Sequence, residues 1–228
     1  KLFIFGILIG FTILFALYNI LAYKTYKEKA FLIIAFNLLI SSIYIYGFNG
    51  ILYQLDLGLN LHLITTLTWN TSSLSLTLLV LFPYYFFNMQ KKYPKLSIYI
   101  KLSILIYLIV TLITLYAQFW DENYFVIFKY YFLFIIFSIV FLFCLAIYMN
   151  LKKEIGSKYY LFGQGFLFVS IILHASNILG LITYSEINKY FYPIGITFDL
   201  IFLTIMQFQK IKEKQLQLEK NKEMLLEQ

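Results

Sequence analysis

Seven long apolar stretches follow one another along the chain, and they restrict its fold more than any other feature. Each has about the 20 mostly apolar residues that a helix needs to cross roughly 30 Å of hydrocarbon. The mean hydropathy is +0.80, and 13% of the residues are charged, against about 25% in soluble domains. The sequence therefore predicts an all-α, polytopic membrane protein, a bundle of seven transmembrane helices at approximately 2–23, 30–52, 63–87, 98–119, 125–149, 160–184 and 191–208.

The distribution of lysine predicts the orientation of the helices. Lysines cluster at 24–29, 91–95 and 152–158, after the first, third and fifth stretches, and again from Lys210 onward. The intervening gaps are nearly free of lysine and carry Asp56, Asp121, Glu122 and Glu186, with a lone Lys189. Short lysine-rich loops stay in the cytoplasm. We therefore expect a multi-pass protein of the cell (inner, cytoplasmic) membrane, with its N-terminus outside and its C-terminus inside.

Composition excludes several classes of function. The net charge of +7 reflects this topology and contact with the anionic lipid bilayer, and there is no basic soluble face for nucleic acid. Nucleotide loops, nucleophile elbows and kinase signatures are absent from the sequence, so we predict no enzyme and no cofactor within this segment. Two histidines and the single Cys144 do not supply a metal site or a disulfide. We expect Cys144 to be a small buried residue.

Residue usage points to the source of the gene. All 18 basic residues are lysine, and Ile, Phe, Tyr and Asn are abundant. These residues share A/T-rich codons, which indicates a low-G+C bacterium. The same bias accounts for the aromatic content of 21%, so we do not interpret the aromatic residues as a ligand-binding box.

Polar side chains inside the apolar stretches are the candidate functional residues, because they are costly in a membrane. Asp199 lies near the middle of the seventh stretch, where a carboxyl group must be protonated or paired. It is either a switch or proton-linked site, or a buried hydrogen-bonding residue that holds helices together, and the second interpretation is favoured. His174 and Asn177 share one face of the sixth helix, since they are three residues apart. The residues that could pair with them across the bundle are Asn37, Asn70 and Gln164.

The C-terminal segment differs from the rest of the chain. No glycine or proline follows Gly195, so the seventh helix can continue as one helix beyond the membrane. Apolar and polar residues recur there at the spacing of a two-stranded coiled coil, at Phe208, Ile211, Gln215, Leu218, Lys222 and Leu225. The sequence predicts a seven-transmembrane domain at 1–208, a coiled-coil linker beginning at 209–228, and a homodimer through this helix. The alternative is an amphipathic helix on anionic lipid.

Two further features suggest partners for the chain. Gly6 and Gly10 form a small-xxx-small face in the first stretch, which is typical of close helix packing. The chain begins at Lys1 and ends at Gln228 within a helical pattern, and an N-terminus outside the cell normally implies exported material before it. We therefore expect an upstream extracytoplasmic domain in the parent chain.

Glycines and short motifs are spread along the whole chain, at Gly6, Gly10, Leu17-Tyr18-Asn19, Gly47, Gly156-Ser157-Lys158-Tyr159-Tyr160, Gly180-Leu181, Gly195 and Asp199. In these residues the chain resembles the membrane domain of bacterial seven-transmembrane receptors with diverse intracellular signalling modules. Asp199 stands where that family has an acidic residue, often Glu, whereas the stretch at 207–210 lacks the usual Arg. The resemblance implies a sensory domain outside and an output module inside, such as a histidine kinase, a diguanylate cyclase, a phosphatase or an adenylate cyclase. It implies no ligand site.

Three functions are compatible with the sequence. The favoured one is a receptor domain that converts an outside event into movement of its last helix. The second is a transporter or channel subunit in which Asp199, His174 and Asn177 line a path. The third is a membrane anchor without switching.

Overall fold

The computed structural model describes residues 2–54, 58, 60–120, 124–178, 180–183 and 190–226. These residues form helices and short turns, without a strand, so the all-α prediction is confirmed for the described part of the chain. The acidic residues of the predicted outer gaps and Lys189 lie outside it. The helices are α1 (Leu2–Tyr26), α2 (Lys29–Phe48), α3 (Ile51–Gln54), α4 (Leu61–Phe86), α5 (Met89–Lys92), α6 (Pro94–Trp120), α7 (Tyr124–Leu151), α8 (Ser157–Ile178) and α9 (Phe191–Leu226).

Five of these helices contain a segment long and apolar enough to cross a membrane. The segments are Lys29–Phe48, Pro94–Tyr116, Phe134–Leu151, Ser157–Asn177 and Phe191–Leu225. Within the described residues, α1 and α4 do not belong to this set. Helix α4 carries many Ser and Thr residues, which make it less apolar than its neighbours. The multi-pass membrane character is therefore shown, while the count of seven spans and the orientation of the termini stay predictions.

Short turns connect the helices at the predicted inner gaps. Lys27, Asn88 and Lys153 adopt left-handed backbone conformations, with φ of 55°, 51° and 53°. They lie in the short connections between α1 and α2, α4 and α5, and α7 and α8. The turns leave no room for a folded domain between these helices.

The chain divides into two compact units, Lys1–Phe141 and Leu142–Gln228. In the first unit α1 packs on α2, α2 on α4, and α4 on α6. Helices α2 and α4 run antiparallel, because Asn37 meets Ser75 while Gly47, ten residues later, lies against Thr68, which precedes Ser75 in the chain. A Cβ atom on Gly47 would overlap the Thr68 side chain, so glycine permits the close approach of these two helices.

The second unit is built on the antiparallel pair of α8 and α9. Aromatic rings stack across this pair, with centroid distances of 5.1 Å for Phe166–Phe198 and 6.1 Å for Phe162–Phe202. The rings of Phe143 and Phe168 also stack, with centroids 4.8 Å apart. Cys144, which we expected to be buried, is exposed, because the apolar stretch that contains it presents part of its surface outward. The prediction for this residue is wrong.

Helix α9 is continuous over 36 residues, from Phe191 to Leu226. At 1.5 Å per residue this is about 54 Å, well beyond the roughly 30 Å of a hydrocarbon core. The predicted continuation of the last apolar stretch into the polar tail is thus confirmed. Ile211 is buried, whereas Leu218 and Leu225 are 61% and 72% exposed. Leu218 and Leu225 are therefore accessible in the described chain, whereas Ile211 is covered by it.

Candidate functional site

The most unusual polar contact joins α8 and α9 through Asp199. This residue is fully buried, and its Oδ1 accepts a hydrogen bond from Nε2 of Gln164 at 2.9 Å. The other carboxyl oxygen, Oδ2, has no hydrogen-bond partner among the described residues. Gln164 is also buried, with 1% of its surface exposed. Loss of this bond would leave two buried polar groups unsatisfied, so it contributes to holding the helices together.

Two glycines allow α8 and α9 to approach closely, one beside this bond and one about a turn of α9 before it. A Cβ atom on Gly163 would lie 2.7 Å from Oδ1 of Asp199. On the opposite helix, a Cβ atom on Gly195 would overlap the Cβ and Oγ atoms of Ser170. Each helix therefore contributes one glycine that receives a side chain of the other, which fixes the register of the pair.

The other polar residues of α8 lie along the same helix pair. Tyr160 is fully buried one turn before Gln164, and His174 is buried with its ring 5.7 Å from that of Tyr192 on α9. Asn177 is half-buried at the end of α8, where its carbonyl oxygen accepts a hydrogen bond from the backbone N–H of Gly180. The sequence suggested Gln164 as a possible partner of His174 or Asn177. In the structure, Gln164 instead donates a hydrogen bond to Asp199 on α9.

Asn37 and Asn70 lie in the first unit and form separate contacts between helices. Oδ1 of Asn37 on α2 accepts hydrogen bonds from Ser41 at 3.1 Å and from Ser75 on α4 at 2.7 Å. Oδ1 of Asn70 on α4 accepts one from Thr114 on α6 at 3.4 Å. Such bonds between membrane helices typically stabilise them by about 0.6–2 kcal/mol each. Ser73 and Thr111 add a further hydrogen bond between α4 and α6.

Gly6 and Gly10 lie on an open face of α1. A Cβ atom on either glycine would meet no described atom within 4 Å. The contrast with Gly47, Gly163 and Gly195 is clear, because those three lie at tight helix contacts. The predicted packing role of Gly6 and Gly10 stays a prediction.

Sequence reasoning did not identify several residues of these contacts. It did not predict contacts for Gly163, Ser170 or the buried Ser and Thr residues of α4. The only signal in the sequence was the presence of small residues within apolar stretches, at Gly163 and Gly165 and at Ser72, Ser73 and Ser75. Small residues of this kind are common in membrane helices, so their presence alone does not indicate which helices meet.

The role of Asp199 in packing can be tested by two substitutions of different polarity. Asp199→Asn keeps an acceptor oxygen for Gln164 and should change the unfolding free energy little. Asp199→Leu removes the acceptor and leaves the Gln164 amide buried without it, so we expect a loss of about 1–2 kcal/mol. The measurement is unfolding of the purified chain in detergent or bicelles. A Gln164→Leu variant completes a double-mutant cycle, and additive effects of the two leucines would show that the bond contributes nothing.

These features define a class of protein: a helical, multi-pass membrane domain whose polar side chains join helices and form no recognisable catalytic group in the described residues. A family model described as "7TM diverse intracellular signalling" matches residues 1–209. The chain belongs to this family, which consists of sensory membrane domains linked to intracellular signalling and not themselves catalytic. Searches of curated proteins and of solved structures find no match.

Proposed function

We propose that the chain is the transmembrane part of a receptor that passes an extracytoplasmic signal to a C-terminal cytoplasmic output module. The observation that carries this proposal is the unbroken α9, which contains Asp199 and extends into a polar tail ending at Leu226. A rigid helix conveys a shift of one or two ångströms, or a rotation, along its whole length. Residues 1–208 would act as the transducing domain and 209–228 as the start of the linker.

The contacts between α8 and α9 would determine what moves. Gly163 lies beside the Asp199–Gln164 bond and Gly195 about one turn of α9 before it, and both allow the two helices to fit together closely. We therefore infer that the signal displaces this helix pair, and that Asp199 and His174 are the positions at which an intramembrane ligand or a proton would act. We assign Asn37 and Asn70 to helix packing, because each accepts a hydrogen bond from a neighbouring helix. We assign Asn177 to the end of α8, where its carbonyl oxygen accepts a backbone hydrogen bond.

The partners of the domain follow from the same proposal. Exposed Leu218 and Leu225 on α9 would pair with the same residues of a second copy, giving a homodimer in the cytoplasm. The output module would follow the linker and be of the kinase or cyclase type, and an extracytoplasmic sensory domain would precede α1. In a bacterial cell the domain would lie in the inner (cytoplasmic) membrane.

A transporter or channel subunit is the second candidate. The observation in its favour is the set of buried polar side chains along α8 and α9, which includes Asp199, Gln164 and His174. The full-length gene product separates the two classes, because a receptor needs a signalling module after residue 228 and a transporter does not.

The proposed direction of signalling requires a defined topology. The experiment uses a Cys144→Ala background, because Cys144 is exposed. In intact cells, the Lys24→Cys and Lys152→Cys variants should be protected from a membrane-impermeant maleimide. Cysteines at Tyr53 and Leu181, which are 61% and 75% exposed, should react. Permeabilised cells provide the control, in which all four should react equally. Protection of the cysteine at 53 in intact cells would contradict both the topology and the seven-span count.

A further inference from the structure

Two lysines from different helices converge on a pair of tyrosines at the end of α4. The Nζ atom of Lys29 on α2 lies 5.5 Å from the ring centroid of Tyr85. The Nζ atom of Lys101 on α6 lies 5.8 Å from the ring centroid of Tyr84. The two rings meet edge to face, with centroids 5.1 Å apart. Cation–π contacts at this distance hold an ammonium group in place, so both charges are positioned by one tyrosine pair.

Positive charge at this site is not balanced by the protein. The segments 24–29 and 91–101 contain seven lysines and one carboxylate, that of Glu28. Lys29 and Lys101 are exposed, and neither forms an ion pair among the described residues. An ammonium group has three N–H donors, and the ring contact leaves them available to oxygen acceptors. The site therefore suits an anion with several acceptor oxygens.

An exposed apolar stripe continues from this site along α6. Leu102, Leu105, Ile109 and Leu112 are 52%, 54%, 47% and 65% exposed, and they follow Lys101 at helical spacing on one face. Only 17% of the α6 span is buried, against 56% of the α2 span. In a membrane such a stripe contacts acyl chains, while a lysine near the helix end extends toward the interface. A cationic group above an apolar stripe matches the two parts of a phospholipid.

We propose that Lys29, Lys101, Tyr84 and Tyr85 form a binding site for the headgroup of an anionic phospholipid. The two ammonium groups donate to phosphate oxygens, the rings hold these ammonium groups in place, and the α6 stripe contacts an acyl chain. The phosphate group alone would satisfy the lysines, but the adjoining stripe identifies a lipid as its source. The site lies within the first unit and does not depend on the signalling role proposed above.

Native mass spectrometry of the purified chain, with phosphatidylglycerol or phosphatidylcholine added in detergent, tests this site. We expect phosphatidylglycerol to bind more tightly than phosphatidylcholine. The double variant Lys29→Gln, Lys101→Gln should lose most of that preference, because it removes both of the ammonium groups that the tyrosine rings hold in place. The Lys29→Arg, Lys101→Arg variant should keep the preference, because it retains both charges.

The matched control is Lys91→Gln, Lys95→Gln, which removes the same amount of charge from the 91–101 segment at positions without the tyrosine contacts. It should lose less than half of the preference. Equal losses in the two glutamine variants would mean diffuse attraction and overturn the site, as would equal binding of the two lipids by the wild-type chain. Displacement of the lipid by excess inorganic phosphate would indicate an anion site without lipid recognition. If circular dichroism shows the double variant unfolded, Lys101→Gln alone should give a loss of about fivefold.

Discussion

Gly195→Ala is expected to separate α8 from α9, and Ser170→Gly is expected to restore their packing in the double variant. A Cβ atom on Gly195 would occupy the same space as the Cβ and Oγ atoms of Ser170, so one helix must shift to admit it. Overpacking of this kind typically destabilises a protein by about 1–3 kcal/mol. Ser170→Gly removes both of the overlapping atoms. The nearest remaining atom is the Phe166 carbonyl oxygen at 3.4 Å, which is a normal contact.

The measurement is the unfolding free energy of the purified chain in bicelles, compared among wild type, the two single variants and the double variant. Gly165→Ala is the matched control on α8, because its Cβ would lie 3.7 Å from the nearest side-chain atom, in Phe143. It should be neutral or slightly stabilising, since alanine favours a helix over glycine by up to about 1 kcal/mol. Strong destabilisation by Gly165→Ala, or failure of Ser170→Gly to rescue Gly195→Ala, would contradict the observed register of the pair.

This pair also bears on how a signal would travel. If α8 and α9 fit together through Gly163 and Gly195, then displacement of α9 alone would force side chains into the facing helix. Close-packed interfaces favour discrete arrangements over gradual deformation. The proposed receptor would therefore switch between two positions of the helix pair, and a difference of a few kcal/mol between them would suffice. Gly195→Ala in a signalling-competent parent should accordingly alter regulation as well as stability.

The helical architecture could be predicted from the sequence because it depends on local properties. Long apolar runs require helices in a membrane, and the absence of glycine and proline after Gly195 predicts the continuity of α9. The buried position of Asp199 follows from the same reasoning, because a carboxyl group within an apolar helix needs protein around it. These predictions require only the order of residues along one helix.

The partners of the polar residues could not be predicted, because they depend on which helices meet and in which register. A shift of α8 by one residue would rotate Gln164 by about 100° away from Asp199, and nothing in the sequence fixes that rotation. The exposure of Cys144 and the burial of Ser75 on α4 were missed for the same reason. Hydropathy ranks residues by their preference for lipid, but it does not distinguish a lipid-facing side from a side that faces another helix.

Insertion of four residues after Lys212 is expected to lock or abolish output in a full-length parent, whereas insertion of seven should retain regulation. Each helical residue advances about 100°, so four residues rotate everything downstream by about 40°, and seven change it by only about −20°. Lys212 is suited to this test because Ile211 is the last buried residue in the described part of α9. The insertions therefore leave the packing of α8 on α9 intact.

The output activity of the parent, measured with and without its stimulus, distinguishes a rigid helix from a flexible linker. Helix-forming insertions are required, because glycine would introduce flexibility at the junction and change two properties at once. As a control, the same four- and seven-residue insertions are placed between Lys222 and Glu223. They should give the same difference in regulation, since α9 is still helical there. In the proposed coiled-coil dimer, rotation would pass through Leu218 and Leu225 of both copies, so the rotation that an insertion introduces, and not its length, should determine the outcome. Normal regulation after both four and seven residues would mean that the tail transmits no rotation, and helical transmission would then have to be abandoned.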